Sequence, residues 1–289
     1  MAHRGLDPHR MEVERAGPVV RVSAEPGAQF KSIAEAVAAS TPGTCIRVSA
    51  GYYQEPPMTI RTDDLQIIGE GTVNVLTMSS DPVMRIFSSR LLVQRLMLRQ
   101  QLPEGTETEG LSCVIVEGGA ALLEDCHISG SAGGVLVLRS AEPIIRNCQV
   151  TECRDFACKV MGSAAPTFEG CKICDIKGFG IVSCGDAGGL FLKNDLSAMT
   201  HAAVVAGGKS VTRFESNVIH NCSQGGFWVQ EESECTIIEN DVHNTRLAAF
   251  QIGGHANPTV VGNQARESQG GGIVVHENAM GIYSRNTVK

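Results

Sequence analysis

Apolar residues recur every 23 positions along the C-terminal two thirds of the chain, with one step of 22 early in two of the columns. The first column consists of Ile128, Val150, Ile173, Leu196, Ile219, Val242, Ala265 and Val288. The second column consists of Leu123, Ile145, Phe168, Phe191, Phe214, Ile237, Val260 and Tyr283. The third column consists of Val135, Cys158, Ile181, Val204, Phe227, Phe250 and Ile273. Further apolar residues two positions after the third column give an alternating pattern, which predicts short strands with one buried face.

A polar column runs through the same repeats. Its members are Asn194, Asn217, Asn240, Asn263 and Asn286, each 23 residues after the last, and the column continues upstream as Cys171, Cys148 and Cys126. Stacked side-chain amides can hydrogen-bond to one another along a fibre or solenoid axis. We therefore predict that these asparagines form a ladder inside the protein.

The repeat predicts an all-β fold, a single-stranded right-handed parallel β-helix with 23-residue coils. One such coil cannot bury its apolar face alone, so the coils must stack on one another. We place the β-helix domain at residues 19–289, with regular coils from about 111 to 289, after an N-terminal tail at 1–18. Phe30, Ile33 and Val37 share one helical face, which predicts a capping helix at about 30–40.

Upstream of the regular coils, Leu92, Arg95 and Met97 match the template of Leu123, Cys126 and Ile128. The step between the two sets is 31 residues, eight more than the period. We assign the excess to a polar loop from Leu102 to Glu109.

Composition narrows the functional classes. The formal charge of -7, the pI of 5.6 and the lack of a Lys/Arg run argue against nucleic acid or a membrane as partner. The first residues have no apolar signal region and no 18-residue apolar stretch follows, so we expect a cytoplasmic protein. Eleven cysteines with scattered spacing are expected to be reduced core residues. We predict no cofactor and no metal.

Several segments resemble right-handed β-helix proteins. They are AQFKSIAEAVAAS, IRVSAGYYQEPPMTI and LQIIGEG near the N-terminus and TRFESNVIHNCSQGGFWVQ in the later coils. Such segments are similar to the β-helix domains of F-box substrate receptors and SHC-binding spindle proteins, and more distantly to pectin methylesterases. The catalytic motifs of pectin methylesterases and polygalacturonases are missing from this sequence, as is an F-box. The resemblance therefore implies the fold and transfers no catalytic residue.

Two polar pairs could carry chemistry. Asp195 and Asp241 occupy one outward column, with Val218 between them, and could act as the two carboxylates of an inverting glycosidase. Acidic outward residues on a solvated solenoid are the alternative, which we favour. His220 and His243 follow one another on successive coils and could share a metal, although turn histidines above the asparagine ladder are the favoured interpretation.

Cys171 and Cys174 form a CxxC sequence, and three more cysteines lie on the preceding coil. Zinc binding is one interpretation. Because Cys171 belongs to the ladder column and Cys158 to an apolar column, packing explains most of these thiols. We therefore favour core residues over a zinc site.

A largely apolar column lies between two inward positions and should point outward. Its members are Leu136, Lys159, Val182, Val205, Trp228, Gln251 and Val274. An exposed apolar strip with a central tryptophan is typical of an interface. We predict a binding surface formed by Trp228, Leu136, Val182, Val205 and Val274, unless the tail or a loop covers the strip.

The leading functional hypothesis is a non-enzymatic scaffold or protein-binding module, with protein partners in a larger cytoplasmic assembly. The alternative is a carbohydrate-binding module or a degenerate polysaccharide lyase or esterase, for which Tyr52, Tyr53 and Trp228 are the candidate stacking residues. Residues 286–289 fall inside a coil, so we also expect a partner, a second copy or further chain to cover that coil.

Overall fold

The computed structural model describes residues 17–289, so most of the predicted tail at 1–18 lies outside the described residues. The described chain forms a β-helix whose coils each contribute strands to three faces. Face I is a ten-stranded parallel sheet made of β3 (Met58–Ile60), β5 (Met84–Ile86), β8 (Ser112–Val116), β11 (Gly133–Val137), β14 (Phe156–Val160), β17 (Phe179–Ser183), β20 (Val204–Ala206), β23 (Phe227–Val229), β26 (Phe250–Ile252) and β29 (Ile273–Val275).

Faces II and III belong to one larger sheet, which bends between them. Face II contains β6 (Leu91–Gln94), β9 (Leu122–Glu124), β12 (Ile144–Arg146), β15 (Thr167–Glu169), β18 (Leu190–Leu192), β21 (Arg213–Glu215), β24 (Thr236–Ile238), β27 (Thr259–Val261) and β30 (Ile282–Ser284). Face III contains β7 (Met97–Gln101), β10 (His127–Gly130), β13 (Gln149–Thr151), β16 (Lys172–Ile176), β19 (Asp195–Met199), β22 (Val218–Cys222), β25 (Asp241–Thr245), β28 (Gln264–Ser268) and β31 (Thr287–Val288). The early strands are β1 (Val19–Val22), β2 (Cys45–Gln54) and β4 (Leu65–Met78), and β4 pairs with both β6 and β7.

A single left-handed residue makes the corner between faces II and III. Lys193, Ser216 and Glu239, for example, have φ between 53° and 56° and each directly precedes an asparagine of the ladder. The backbone amide of Asn217 donates to Asn240 Oδ1 at 2.9 Å, and Asn217 Nδ2 donates to the same oxygen at 2.9 Å. Asn194, Asn240 and Asn263 repeat this geometry, and all four side chains are buried. The predicted interior ladder is confirmed.

The core between the faces is built from stacked copies of the same side chain. The rings of Phe168 and Phe191 are stacked with centroids 5.0 Å apart, and Phe191 stacks on Phe214 at 5.3 Å. Phe227 and Phe250, on face I, stack at 5.2 Å. Aromatic pairs at this spacing add stabilisation beyond the area they bury. The 23-residue period and the all-β parallel β-helix are therefore confirmed.

The predicted register of the coil before the loop is wrong by one residue. Val93 pairs with Leu123 and Leu98 with Ile128, so the step is 30 residues rather than 31. Leu96, fully buried, takes the ladder position that the sequence template gave to Arg95. A slip of one residue exchanges inward and outward side chains in a strand. The pattern misled because Leu92 and Met97, which face outward, are also apolar.

The helix α1 (Ile33–Ala39) lies within the predicted span of the capping helix. Ser32 accepts a hydrogen bond from the Glu35 backbone amide, as expected of an N-cap. The buried carboxylate of Glu55 accepts from the backbone amides of Ile33 and Ala34 at 2.6 and 3.0 Å. A negative charge at a helix N-terminus is stabilising, so Glu55 fixes the helix to the first coils.

Candidate functional site

The predicted binding residues form one continuous column on face I. Parallel pairing joins Leu136 to Lys159, Lys159 to Val182, and so on through Val205, Trp228 and Gln251 to Val274. We call these seven residues the Trp228 strip. Successive members are one strand apart, about 4.8 Å, so the strip is about 29 Å long.

Only part of the Trp228 strip is exposed. Trp228 and Val182 are partly exposed and Val274 is 38% exposed, whereas Leu136 and Val205 are 6% and 8% exposed. The prediction that all five binding residues face solvent is therefore wrong for Leu136 and Val205. Val205 lies between Val182 and the large indole of Trp228, and its short side chain is covered by these neighbours.

Leu136 is covered in a similar way. It lies between Ile115 and Lys159 in the sheet, and the Lys159 ammonium sits 5.8 Å from the centre of the Phe156 ring. Long basic side chains commonly lay their methylene groups along apolar neighbours. The strip is therefore at least partly exposed at Lys159, Val182, Trp228, Gln251 and Val274 and covered at Leu136 and Val205.

Polar groups surround Trp228 on the same face. Gln251 follows it in the strip and has its Nε2 atom 3.3 Å from His276 Nε2. A Cβ atom added to Gly253 would lie 2.4 Å from the His276 ring, so the imidazole covers this glycine. Gln230 approaches Gly207 in the same manner. Side-chain amides and an imidazole thus lie near Trp228 on this part of face I.

The turns that follow these strands carry a concentration of carboxylates. Asp186, Glu231, Glu232, Glu234 and Glu277 are all exposed, and we call them the acidic rim. Lys209 lies among them, with its Nζ 3.6 Å from Glu232 Oε2. None of these residues was predicted as functional, although three of the four positions from Glu231 to Glu234 are glutamates. That run of glutamates could have indicated an acidic surface.

A groove opens on face III beside the loop from Leu102 to Glu109. Its larger part has a volume of about 430 Å³, and a smaller part of about 100 Å³ adjoins it, with Glu152 lining both. Tyr52, which is 68% exposed, stands at the end of the smaller part. The whole groove is lined mainly by polar and charged side chains, among them Asn74, Arg99, His127, Ser131, Arg154 and Lys177.

Two interactions involve side chains that line this groove. Arg99 forms an exposed ion pair with Glu152 at 3.6 Å, and His127 Nε2 lies 2.7 Å from Thr151 Oγ1. Burial lowers the pKa of His127, so its ring is neutral at pH 7. Of the other stacking candidates, Tyr53 is buried and donates its hydroxyl to the Ser49 carbonyl, so it cannot contact a ligand.

Asp195 and Asp241 do occupy one outward column two strands apart, with Val218 between them. Each is engaged by a basic neighbour: Asp195 Oδ1 lies 3.0 Å from His220 Nε2, and Asp241 Oδ2 lies 2.5 Å from an Arg266 guanidinium nitrogen. These pairings support the interpretation of solvated, structural carboxylates over that of an inverting catalytic pair.

The histidine pair lies in strands β22 and β25 rather than in turns, which corrects the sequence-based placement. The rings of His220 and His243 are parallel within 8° and 5.3 Å apart. His220 Nδ1 lies 2.9 Å from Asn221 Nδ2 and its Nε2 contacts Asp195, so both ring nitrogens are engaged. Within residues 17–289, no three His, Cys, Asp or Glu side chains converge in a geometry that could hold a metal ion.

The CxxC cysteines do not converge either. Cys171 is inside the ladder, where its backbone amide donates to Asn194 Oδ1 at 2.9 Å, whereas Cys174 lies in the outward column of face III beside Ser197. All eleven cysteines are free thiols. Burial raises the pKa of Cys171 and Cys153 to about 12, so both are protonated at neutral pH.

The chain matches the family model described as the right handed beta helix region over residues 108–188 and 179–289. It therefore belongs to the right-handed β-helix family. Solved structures with a similar fold are the pectin methylesterase from carrot and a pectate lyase, Pel9A. The carrot enzyme is 16% identical over 80% of this chain and 85% of its own, with a TM-score of 0.59. Pel9A is 11% identical over 92% of this chain and 78% of its own, with a TM-score of 0.72.

The pectin methylesterase from Aspergillus niger is also similar, with 15% identity over 79% of this chain and 86% of its own and a TM-score of 0.56. Structural similarity at such low sequence identity shows a common fold. It does not show a common activity, which depends on the residues of the site. The resemblance to F-box substrate receptors and SHC-binding spindle proteins stays an expectation. No helix in the described part of the chain has the length and apolar character needed to cross a membrane.

Proposed function

We propose that this chain is a non-catalytic protein-binding module whose partner docks on face I around Trp228. The observation that carries the proposal is the partly exposed indole of the chain's one tryptophan, on the outward side of face I. Tryptophan is the residue most enriched among energetically dominant interface contacts. Val182 and Val274, each two strands away from Trp228, add exposed apolar area to the same face.

Two further features support a protein partner. The chain holds eleven free thiols, which favours a reducing compartment over the extracellular space where plant and microbial polysaccharides lie. The carboxylates Asp195 and Asp241, which the sequence offered as a catalytic pair, are engaged in hydrogen bonds to His220 and Arg266. We accordingly propose a cytoplasmic location and a role as a subunit of a larger assembly.

Affinity purification from the native source tests the proposal, using the wild-type chain, Trp228→Ala and Val218→Ala. Val218 is 39% exposed on face III and provides the matched control. We expect Trp228→Ala to reduce partner recovery about tenfold or more, because interface tryptophans commonly contribute about 2 kcal/mol or more. Val218→Ala should retain the partner. Equal recovery by all three chains would refute docking at Trp228.

A second candidate function, saccharide binding, is favoured by the groove on face III. The larger part of the groove, about 430 Å³, falls in the volume range of small-ligand pockets. The smaller part is lined by exposed Tyr52 and by several side chains that can form hydrogen bonds. The structural neighbours include enzymes named for pectin and pectate. Calorimetric titration with neutral and acidic oligosaccharides tests this candidate, since Tyr52→Ala should abolish binding and Tyr52→Phe should preserve it. Absence of binding by the wild-type chain would reject the candidate.

A further inference from the structure

The acidic rim lies at one end of the strands that carry Trp228. Glu231 is three residues after Trp228, so the two Cα atoms are about 10 Å apart along an extended chain. Glu277 stacks two coils beyond Glu231, with Gly254 between them, which adds another spacing of about 10 Å. The exposed carboxylates therefore border the Trp228 patch at a distance that one short peptide can span.

Two of the rim carboxylates are held in place by the backbone. Glu231 Oε2 accepts a hydrogen bond from the Gly208 amide, and Glu277 Oε2 accepts one from the Gly254 amide at 2.5 Å. A carboxylate fixed in this way loses less side-chain freedom when it meets a cation, which favours binding. Glu231 is exposed, and no hydrogen bond or ion pair engages its Oε1 within residues 17–289.

Negative charge predominates on this edge. Among the rim residues and their immediate neighbours, the five carboxylates face one ammonium group, Lys209, which already pairs with Glu232. Two imidazoles, His255 and His276, also lie there, and His276 Nδ1 is 3.7 Å from Glu277 Oε1. The opposite ends of the same strands carry basic groups such as Arg246 and His201. Complementary charge steers association and fixes the orientation of a partner. A segment docked on Trp228 would therefore be oriented with its positive end over the rim.

We infer that the partner presents an extended segment with an apolar side chain for Trp228 and a lysine or arginine about three residues away for the acidic rim. This inference rests on the proposed function, because it names the chemistry of the partner at the same surface. The spacing follows from the distance of about 10 Å between Trp228 and Glu231, which an extended chain covers at about 3.3 Å per residue.

Selection from a displayed library of random 12-residue peptides tests the inference. The wild-type chain is the bait, and Trp228→Ala is used for counter-selection. We expect the enriched peptides to carry a lysine or arginine two to four positions from an apolar residue. Enrichment of neutral or acidic peptides, or no enrichment over the Trp228→Ala chain, would overturn the inference.

The affinity of an enriched peptide can be measured from the emission of Trp228, since no other tryptophan contributes. The triple variant Glu231→Gln, Glu232→Gln, Glu234→Gln should weaken binding about threefold to tenfold at low salt, as expected for exposed charge pairs. The control is Glu104→Gln, Glu107→Gln, Glu109→Gln, which changes the net charge equally but lies on the loop beside face III. Equal affinity of the two triple variants would contradict a role for the rim.

The two proposals can fail separately. The natural partner could be lost with Trp228→Ala but retained equally by both triple variants. The protein-binding function would then stand, and the inferred lysine or arginine of the partner would be refuted. If the natural partner is retained by Trp228→Ala, the docking site itself is refuted.

Discussion

Replacing Asn240 with leucine tests the interior ladder most sharply. Asn240 Oδ1 accepts from the backbone amide and from Nδ2 of Asn217, both at 2.9 Å. Its own Nδ2 donates to the carbonyls of Phe214 and Ile238 and to Asn263 Oδ1. Leucine has a similar shape but can replace none of these bonds.

The magnitude follows from what is left unpaired. The Asn217 backbone amide is buried and loses its acceptor outright, which costs about 1 to 3 kcal/mol. Asn217 Nδ2 keeps its hydrogen bond to the Phe191 carbonyl, and the Ile238 carbonyl still accepts from the Ser216 amide. These two groups therefore add less to the loss of stability. We expect a loss of about 2 to 3 kcal/mol in the free energy of unfolding.

Asn240→Cys is the graded comparison, because cysteine occupies the same column upstream. There the Cys126 amide donates to Cys148 Sγ at 3.4 Å, and Cys171 Sγ donates to the Ile145 carbonyl at 3.3 Å. A thiol can therefore replace some of the hydrogen bonds of the amide. The loss in the free energy of unfolding for Asn240→Cys should be about half that for Asn240→Leu. Asn257→Leu, at an exposed turn, should change stability by less than about 0.5 kcal/mol.

Urea unfolding and thermal melting measure all three variants. A loss of about 2 to 3 kcal/mol corresponds to a fall of about 3 to 5 °C in Tm for a chain of this size. A melting temperature for Asn240→Leu equal to that of Asn257→Leu would refute the ladder as a source of stability.

Three more predictions follow from the site. Trp228→Ala should leave the melting temperature within about 2 °C of wild type, since the residue lies on the surface of face I; a larger fall, measured by circular dichroism, would make it a packing residue. Thiol titration should find eleven free cysteines after denaturation and few in the native state, and stoichiometric zinc by elemental analysis would contradict the packing interpretation of Cys171 and Cys174. Burial raises the pKa of Cys153 and Cys235 from 9.0 to about 12, so these thiols lose their protons at a lower pH in the unfolded chain than in the folded one. The free energy of unfolding should therefore fall as the pH rises above about 9. Urea midpoints that rise with pH over this interval would contradict the prediction.

The regular coils could be predicted because parallel stacking keeps one period. Every ladder asparagine sits 23 residues from the next, and each pairs with the next through the same two hydrogen bonds. The coil before the loop offered no such marker, since Leu96 replaces the polar ladder residue there. Outward Leu92 and Met97 are as apolar as the inward Val93 and Leu98, and periodicity alone cannot assign their faces.

The candidate site was predictable only in part, for a related reason. The alternation placed the Trp228 strip on an outward column but could not show that neighbouring side chains cover Leu136 and Val205. The groove joins Tyr52, His127 and Glu152, which are far apart in sequence, and the loop that walls it interrupts the repeat. Exposure and enclosure depend on side chains from adjacent coils, which the period of one column does not describe.

Site-specific photo-crosslinking inside living cells can show whether a protein partner docks on face I. A photoreactive phenylalanine analogue is introduced in place of Gln251, which pairs with Trp228 on face I, and, in a separate chain, in place of Val218 on face III. Trp228 is kept in both chains, because its removal is itself expected to weaken partner capture. We predict a protein adduct of defined mass from position 251 and none from position 218. No adduct at position 251, or an equal yield from both positions, would contradict a protein partner docked on Trp228.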